Sequence, residues 1–244
     1  MSILKYAIIL DLFLNKLIPE TKKSVSKGNK IFGAFIIKKE DLSFTISGTN
    51  NETENPLFHG EISTIINFFK SKNLNPLEYL FISSHEPCSM CLSAITWCGF
   101  DNFYFFFPYS DTESSFNIPH DLKILNEVFN IKNGEYNKDN YYWKSHSILE
   151  TINKSKDPYK EKLLEKAQKY VKERQVLAAE GIFTKTLELD PENFDVPQLK
   201  LEINAWKKEQ ERIAMEKAQK EADRKRKIKS VFATSAKKYF SGVR

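Results

Sequence analysis

Arginine is missing from the first 150 residues of this 244-residue chain, a stretch with fourteen Lys, seventeen acidic residues and a net charge of −3. The rest holds 23 of the 37 basic and 15 of the 32 acidic residues, so the overall +5 comes from a C-terminal part that carries +8. An Arg-free, slightly acidic region lacks the forked donors that recruit a phosphate and the basic groove that holds a long nucleic acid. Cysteine is scarce too. Of the three, Cys88 and Cys91 form a C-x-x-C read below as metal-binding, so no pair is left for a disulfide. A reducing compartment is expected, the cytoplasm first and the nucleus as alternative. No segment approaches the roughly 18 consecutive apolar residues that a membrane span needs. The start, M-S-I-L-K-Y-A-I-I-L-D-L-F-L, imitates a secretory signal, but Asp11 interrupts the run and no small-residue cleavage site follows. It predicts an amphipathic first helix over about 4 to 17.

What is present is H-G-E at His59 to Glu61 and, after twenty-five further residues, P-C-S-M-C at Pro87 to Cys91. Together they supply one imidazole, two thiolates and one carboxylate outside the ligand set, the groups with which zinc makes hydroxide and passes protons at neutral pH. A C-x-x-C at a helix start points both sulfurs to one side, and the helix N-terminus favours thiolates. His59, from another helix, is the expected third ligand, which leaves the fourth tetrahedral position to water. Glu61 is the expected proton shuttle between that water, a ring nitrogen and the departing amine. Pro87 suits a first helical turn. A purely structural zinc would close its shell with a fourth Cys or His, and Cys98, seven residues past Cys91, reads instead as a small apolar residue in the core.

H-x-E with P-C-x-x-C is the signature of zinc nucleobase deaminases. Residues 1 to about 150 resemble the cytidine and deoxycytidylate deaminase superfamily, in its branch of nucleobase and tRNA-adenosine deaminases. H-G-E-I-S-T at His59 to Thr64 is similar to fungal cytosine deaminase. P-C-S-M-C-L-S-A-I-T-W at Pro87 to Trp97, with Y-S-D-T at Tyr109 to Thr112, is more similar to bacterial guanine deaminase. The resemblance implies a three-layer α/β/α domain with a mixed five-stranded sheet, Zn2+ as cofactor and a homodimer. It also implies an asparagine after the second strand that hydrogen-bonds the base. Asn50 or Asn51 takes that place at a shorter spacing from the histidine than usual, with plain turn formation as the alternative reading. Glu86 matches the E-P-C of tRNA-adenosine deaminases, or caps a helix electrostatically. Phe58 and Trp97 are candidate pocket walls, with packing as the alternative. His85 and His120 have no second ligand at a recognisable spacing and read as surface or loop histidines.

The periodicities fit an α/β sandwich over 1–152. Strands are expected at Ile31 to Ile37, Leu42 to Ser47, Leu80 to Ser83 and Phe103 to Phe107, the last a buried aromatic row. Gly33 suits a close backbone approach. In the His59 helix, Ile62, Ile65, Ile66 and Phe69 mark the expected buried face. A helix over Asp121 to Phe129 leads to a fifth strand that the pattern does not locate. Residues 153–244 read as an α-helical extension. Leu163, Ala167, Tyr170, Ala179, Phe183 and Pro191 match a single tetratricopeptide (TPR-like) hairpin over about 160–193, with a chance helical pair as the alternative. A long charged helix over about 197–229 ends in R-K-R-K-I-K at Arg224 to Lys229, a candidate contact for nucleic acid, an anionic membrane or an import receptor, or a solvated helix end.

The leading expectation is hydrolytic, zinc-dependent deamination of a nucleobase or nucleoside of cytosine, guanine or adenine type, with release of ammonia. The alternatives are a deaminase acting on tRNA or single strands delivered by the basic tail, and a silent deaminase fold that binds a protein partner through its helical tail.

Overall fold

The structure is a computed structural model that describes residues 4–71, 73–111 and 120–189, with Arg212 and Gln219. The charged helix and basic cluster expected over 197–229 lie outside the described residues apart from those two positions. Contacts divide the chain into two compact units, Met1–Glu188 and Leu189–Arg244. The unit that carries the H-G-E and P-C-S-M-C motifs therefore runs well past residue 152.

Helix opens the chain. α1 (Leu4–Leu12) passes through a π-helical turn (Phe13–Leu17) into α2 (Ile18–Val25), so the expected helix extends eight residues beyond 17. The wider turn comes directly before Pro19, in the first turn of α2, where a missing N–H breaks the regular ladder. β1 (Gly33–Lys38) and β2 (Phe44–Thr49) form a hairpin, then α3 (Gly60–Lys70), β3 (Tyr79–His85), α4 (Ser89–Trp97) and β4 (Asn102–Phe107) follow. After α5 (His120–Phe129) the fifth strand is β5 (Lys144–Ser147), followed by α6 (Ile148–Lys154) and α7 (Lys160–Leu189). β5 is K-S-H-S, with no apolar residue, which explains why the hydrophobic pattern does not reveal it.

The sheet order is β2-β1-β3-β4-β5. β1 is antiparallel to both neighbours, whereas β3, β4 and β5 run parallel. Side chains alternate across it with period two. Phe35, Ile37, Leu80, Ile82, Tyr104 and Phe106 face the helices α1, α6 and α7. Ala34, Ile36, Phe81, Phe103 and Phe105 face α3, α4 and α5. This is a mixed five-stranded sheet between two helical layers, and the aromatic row of β4 is core throughout.

Two expectations change. α3 buries Glu61, Thr64, Ile65 and Phe68, while Ile66 and Phe69 are exposed and Ile62 is half-buried. The helix is turned by about one residue from its most apolar stripe, because Thr64 lies against strand backbone and donates to the Ala34 carbonyl at 3.1 Å. The expected hairpin over 160–193 is, across Lys160–Leu189, one continuous helix. Leu163, Ala167, Tyr170, Arg174 and Leu177 lie on one side of it at alternating steps of four and three, and all five are buried. Tyr170 stacks on Phe13 at 4.5 Å and meets Phe106 edge-on at 4.8 Å.

Because α6 and α7 cover a face of the sheet, cutting the chain near residue 150 is expected to expose that face and prevent folding. Tyr170→Ala is expected to cost about 3 to 5 kcal/mol, the range for deleting a buried aromatic ring. Denaturant unfolding of the intact variant checks this, and a loss below about 1 kcal/mol would place α7 outside the core.

Candidate metal centre

Two helix starts meet at one end of the sheet. His59 is the N-cap of α3 and Cys88 the N-cap of α4, with Cys91 in the first turn of α4. Pro87 stands just before that cap, outside the helix rather than in its first turn. His59 Nδ1 lies 3.5 Å from Cys88 Sγ and 3.7 Å from Cys91 Sγ. The three candidate donor atoms fall within 4.8 Å of one another, a tetrahedral-ligand separation that fits a zinc-sized ion. Cys91 donates its thiol to Glu61 Oε2 at 3.4 Å, and Ser83 Oγ donates to Glu61 Oε1 at 2.8 Å.

Electrostatics follow from that geometry. The neighbouring Cys91 sulfur, joined by His59, pulls the Cys88 thiol down to about 4, and the same contact pushes Cys91 up, with burial adding to it. His59 is raised to about 10, first by its contact with Cys88 and then by Glu52, whose Oε1 is 3.3 Å from Nε2. Burial raises the Glu61 carboxyl, and the Cys88 thiolate adds to it. Two sulfurs and a carboxylate crowded this closely oppose one another's ionisation, and a divalent cation would favour their anionic forms, with Glu61 beside the donor set.

The family model for the cytidine and deoxycytidylate deaminase zinc-binding region matches residues 9–107. Over that segment the chain is similar to the zinc-binding region of the cytidine and deoxycytidylate deaminases. Zinc is the metal that the matched region names, and the His-Cys-Cys donor set of this chain fits it. No curated protein matches the sequence. Among solved structures, a guanine deaminase from Nitrosomonas europaea is 14% identical with a TM-score of 0.39, over 63% of this chain and 80% of that one. A guanine deaminase from Bacillus subtilis is 22% identical with a TM-score of 0.40, over 53% and 85%. A dCMP deaminase from the cyanophage S-TIM5 is 16% identical with a TM-score of 0.30, over 55% and 98%. At such distances they say nothing about what this chain acts on.

The other predicted site residues separate. Asn50 is fully buried, its Oδ1 accepts from the backbone N–H groups of Lys30 and Glu52, and its Nδ2 has no partner among the described residues. Asn51 is spent on the turn, donating to Glu54 at 2.5 Å. Phe58 is half-buried and lines a cavity of about 620 Å³ with Asn51 and Ser63. Glu86 is buried, and its carboxylate accepts from Tyr109 N–H, Tyr136 Oη and Lys138 Nζ, so it braces the segment after β4. Trp97, the last residue of α4, is 90% exposed and roughly 12 Å along the helix from its metal end, which makes it no pocket wall of this chain. Cys98 packs partly against the core and stays outside the donor cluster.

His85 is buried at the end of β3 rather than on a surface: Ser84 Oγ meets its Nδ1 at 2.9 Å and Arg174 its Nε2 at 3.3 Å. The His120 side chain lies outside the described residues. Ser83 and Glu52 are the polar partners that the motif did not reveal. The signal for Ser83 was its hydroxyl inside an otherwise apolar strand, Y-L-F-I-S-S-H. Glu52 had only its place in a polar turn.

Cys88→Ala is expected to abolish stoichiometric zinc while Cys98→Ala keeps it, as metal analysis of the purified variants would show.

Proposed function

We propose that the deaminase hydrolyses the exocyclic amine of a free nucleobase or nucleoside. The observation that carries this reading is the buried Glu61 carboxylate, held by Ser83 and placed beside the three donors without belonging to them. A fold kept only for binding has no chemical need for that costly group. Bound zinc supplies a Lewis acid that brings the ionisation of water into the neutral range. Glu61 accepts the proton that water gives up and passes it to the ring nitrogen next to the amino-bearing carbon. Glu61 then takes the second proton, from the hydroxyl newly added to that carbon, and delivers it to the amine as the C–N bond breaks, so water and substrate become the oxo product and ammonia. Ser83 keeps the carboxylate aimed through both transfers. The buried Asn50 Nδ2 is the candidate donor to a base acceptor, because an unpaired buried amide is costly unless a ligand completes it.

A small substrate is favoured by charge. Arg174 of α7 lies beyond the Arg-free 150 residues but within the same unit, and it is engaged by Asp111 and lies over the Phe107 ring at 3.8 Å, so its guanidinium has work within the fold. No helix among the described residues is long and apolar enough to cross a membrane. A homodimer in the cytoplasm belongs to the same proposal.

Glu61→Gln keeps size and reach but removes the basic carboxylate. Its zinc content is expected to match the parent protein, while turnover falls by about 10² or more. Ammonia release from cytosine, guanine, adenine and their nucleosides identifies the substrate. Release from tRNA or a single strand but from none of that panel would overturn the small-substrate reading, and wild-type turnover by Glu61→Gln would remove Glu61 as shuttle.

A further inference from the structure

The ring of His59 is held from both sides. Its Nδ1 faces the two sulfurs, while Nε2 lies 3.3 Å from Glu52 Oε1. Glu52 is itself fixed. Both of its carboxylate oxygens lie 3.0 Å from Lys30 Nζ, and its backbone N–H donates to Asn50 Oδ1 at 3.3 Å. The turn that carries it is tied across its base, where Asn51 N–H donates to the Phe58 carbonyl at 2.8 Å, and Thr53 N–H donates to Asn29 Oδ1 at 3.0 Å. The path from β2 to α3 thus loops out and returns so that residue 52 stands behind residue 59.

A neutral imidazole carries one N–H. If it were on Nδ1, the nitrogen that faces the sulfurs would have no lone pair to give. An acceptor at Nε2 selects the other tautomer and fixes the plane of the ring. We propose that Glu52 is a positioning residue for the metal centre, accepting a hydrogen bond from His59 Nε2–H and so holding Nδ1 ready to coordinate zinc. This rests on His59 being a zinc ligand. Carboxylate partners of this kind tune metal affinity by about 10- to 100-fold. An ordinary role for Glu52, as half of a partly exposed ion pair with Lys30, would leave zinc affinity nearly untouched.

The experiment measures zinc affinity of the full chain by competition with a chromophoric chelator, in Glu52→Ala, Glu52→Gln, Lys30→Met and His59→Ala. Glu52→Ala is expected to bind zinc about 10- to 100-fold more weakly. Glu52→Gln is close to isosteric and should fold normally, and its amide oxygen still accepts from Nε2–H, so it is expected to recover most of that loss. Lys30→Met removes the ion pair but leaves the carboxylate, and is expected to change affinity less than Glu52→Ala does. In zinc-loaded wild type and Glu52→Gln, proton NMR is expected to show a protected His59 Nε2–H resonance that is absent from Glu52→Ala. Wild-type affinity in Glu52→Ala, or equal losses in the Ala and Gln variants, overturns the inference. If His59→Ala also binds zinc normally, the ligand assignment has failed. If His59→Ala loses zinc while Glu52→Ala does not, only the positioning role has failed.

Discussion

The first turn of α3 lies against bare strand backbone, and that contact places half of the metal centre. A Cβ on Gly60 would stand 2.5 Å from Gly33 Cα and 2.8 Å from Gly33 N, and one on Gly48 would stand 2.4 Å from Thr64 N. Both glycines are needed for space, since neither has a positive φ. Any larger residue would force the helix away from the strand backbone. His59 and Glu61 flank Gly60, so such a shift would carry imidazole and carboxylate away from Cys88 and Cys91. Thr64, one turn on, bonds the Ala34 and Gly60 carbonyls and keeps the helix seated.

The same seat explains why the buried face of α3 is misjudged from hydrophobicity. A helix has one inward stripe, and here Glu61 occupies a place in it that an apolar residue would otherwise take. With Thr64, Ile65 and Phe68 it makes a stripe of two polar and two apolar side chains, while the more apolar Ile66 and Phe69 turn outward. The donor residues were legible because ligand chemistry restricts residue type and spacing together. The residues that orient them were not, because a serine or glutamate in a turn has many uses and only coordinates show which one is in force.

The C-terminal helix teaches a related lesson about periodicity. The steps 163, 167, 170, 174 and 177 describe one buried stripe on a helix, and its first three positions coincide with the Trp, Gly and Tyr positions of a tetratricopeptide repeat's first helix. What separates a hairpin from a straight helix is the turn between its arms. The stretch R-Q-V-L-A-A-E-G-I-F has no proline and one glycine, Gly181, which sits inside α7 within reach of Val25. A lone glycine lowers helix propensity by about 1 kcal/mol, too little to break a helix whose preceding turns are packed on Phe13, Phe106 and Phe107. Packing against the sheet outweighed the local signal.

Polar residues at the C-terminal end of β3 show how a buried edge of the core becomes chemically useful. Ser83, Ser84, His85 and Glu86 are consecutive and all buried, and each has a separate partner. Ser83 reaches Glu61, Ser84 accepts from Gly33 N–H, His85 meets Arg174, and Glu86 gathers Tyr109, Tyr136 and Lys138. Four polar side chains in a row would destabilise a strand that ended in solvent-free core with nothing to bond. Here they bind β1, α3, α7 and the segment after β4 to one strand end, next to the two helix N-termini that favour negative charge. Helix dipoles and hydrogen bonds already fixed in the fold thus face the Cys88 thiolate and the Glu61 carboxyl. With those bonds and dipoles in place, little reorganisation would remain in the proton transfers proposed for Glu61, whose pKa burial raises.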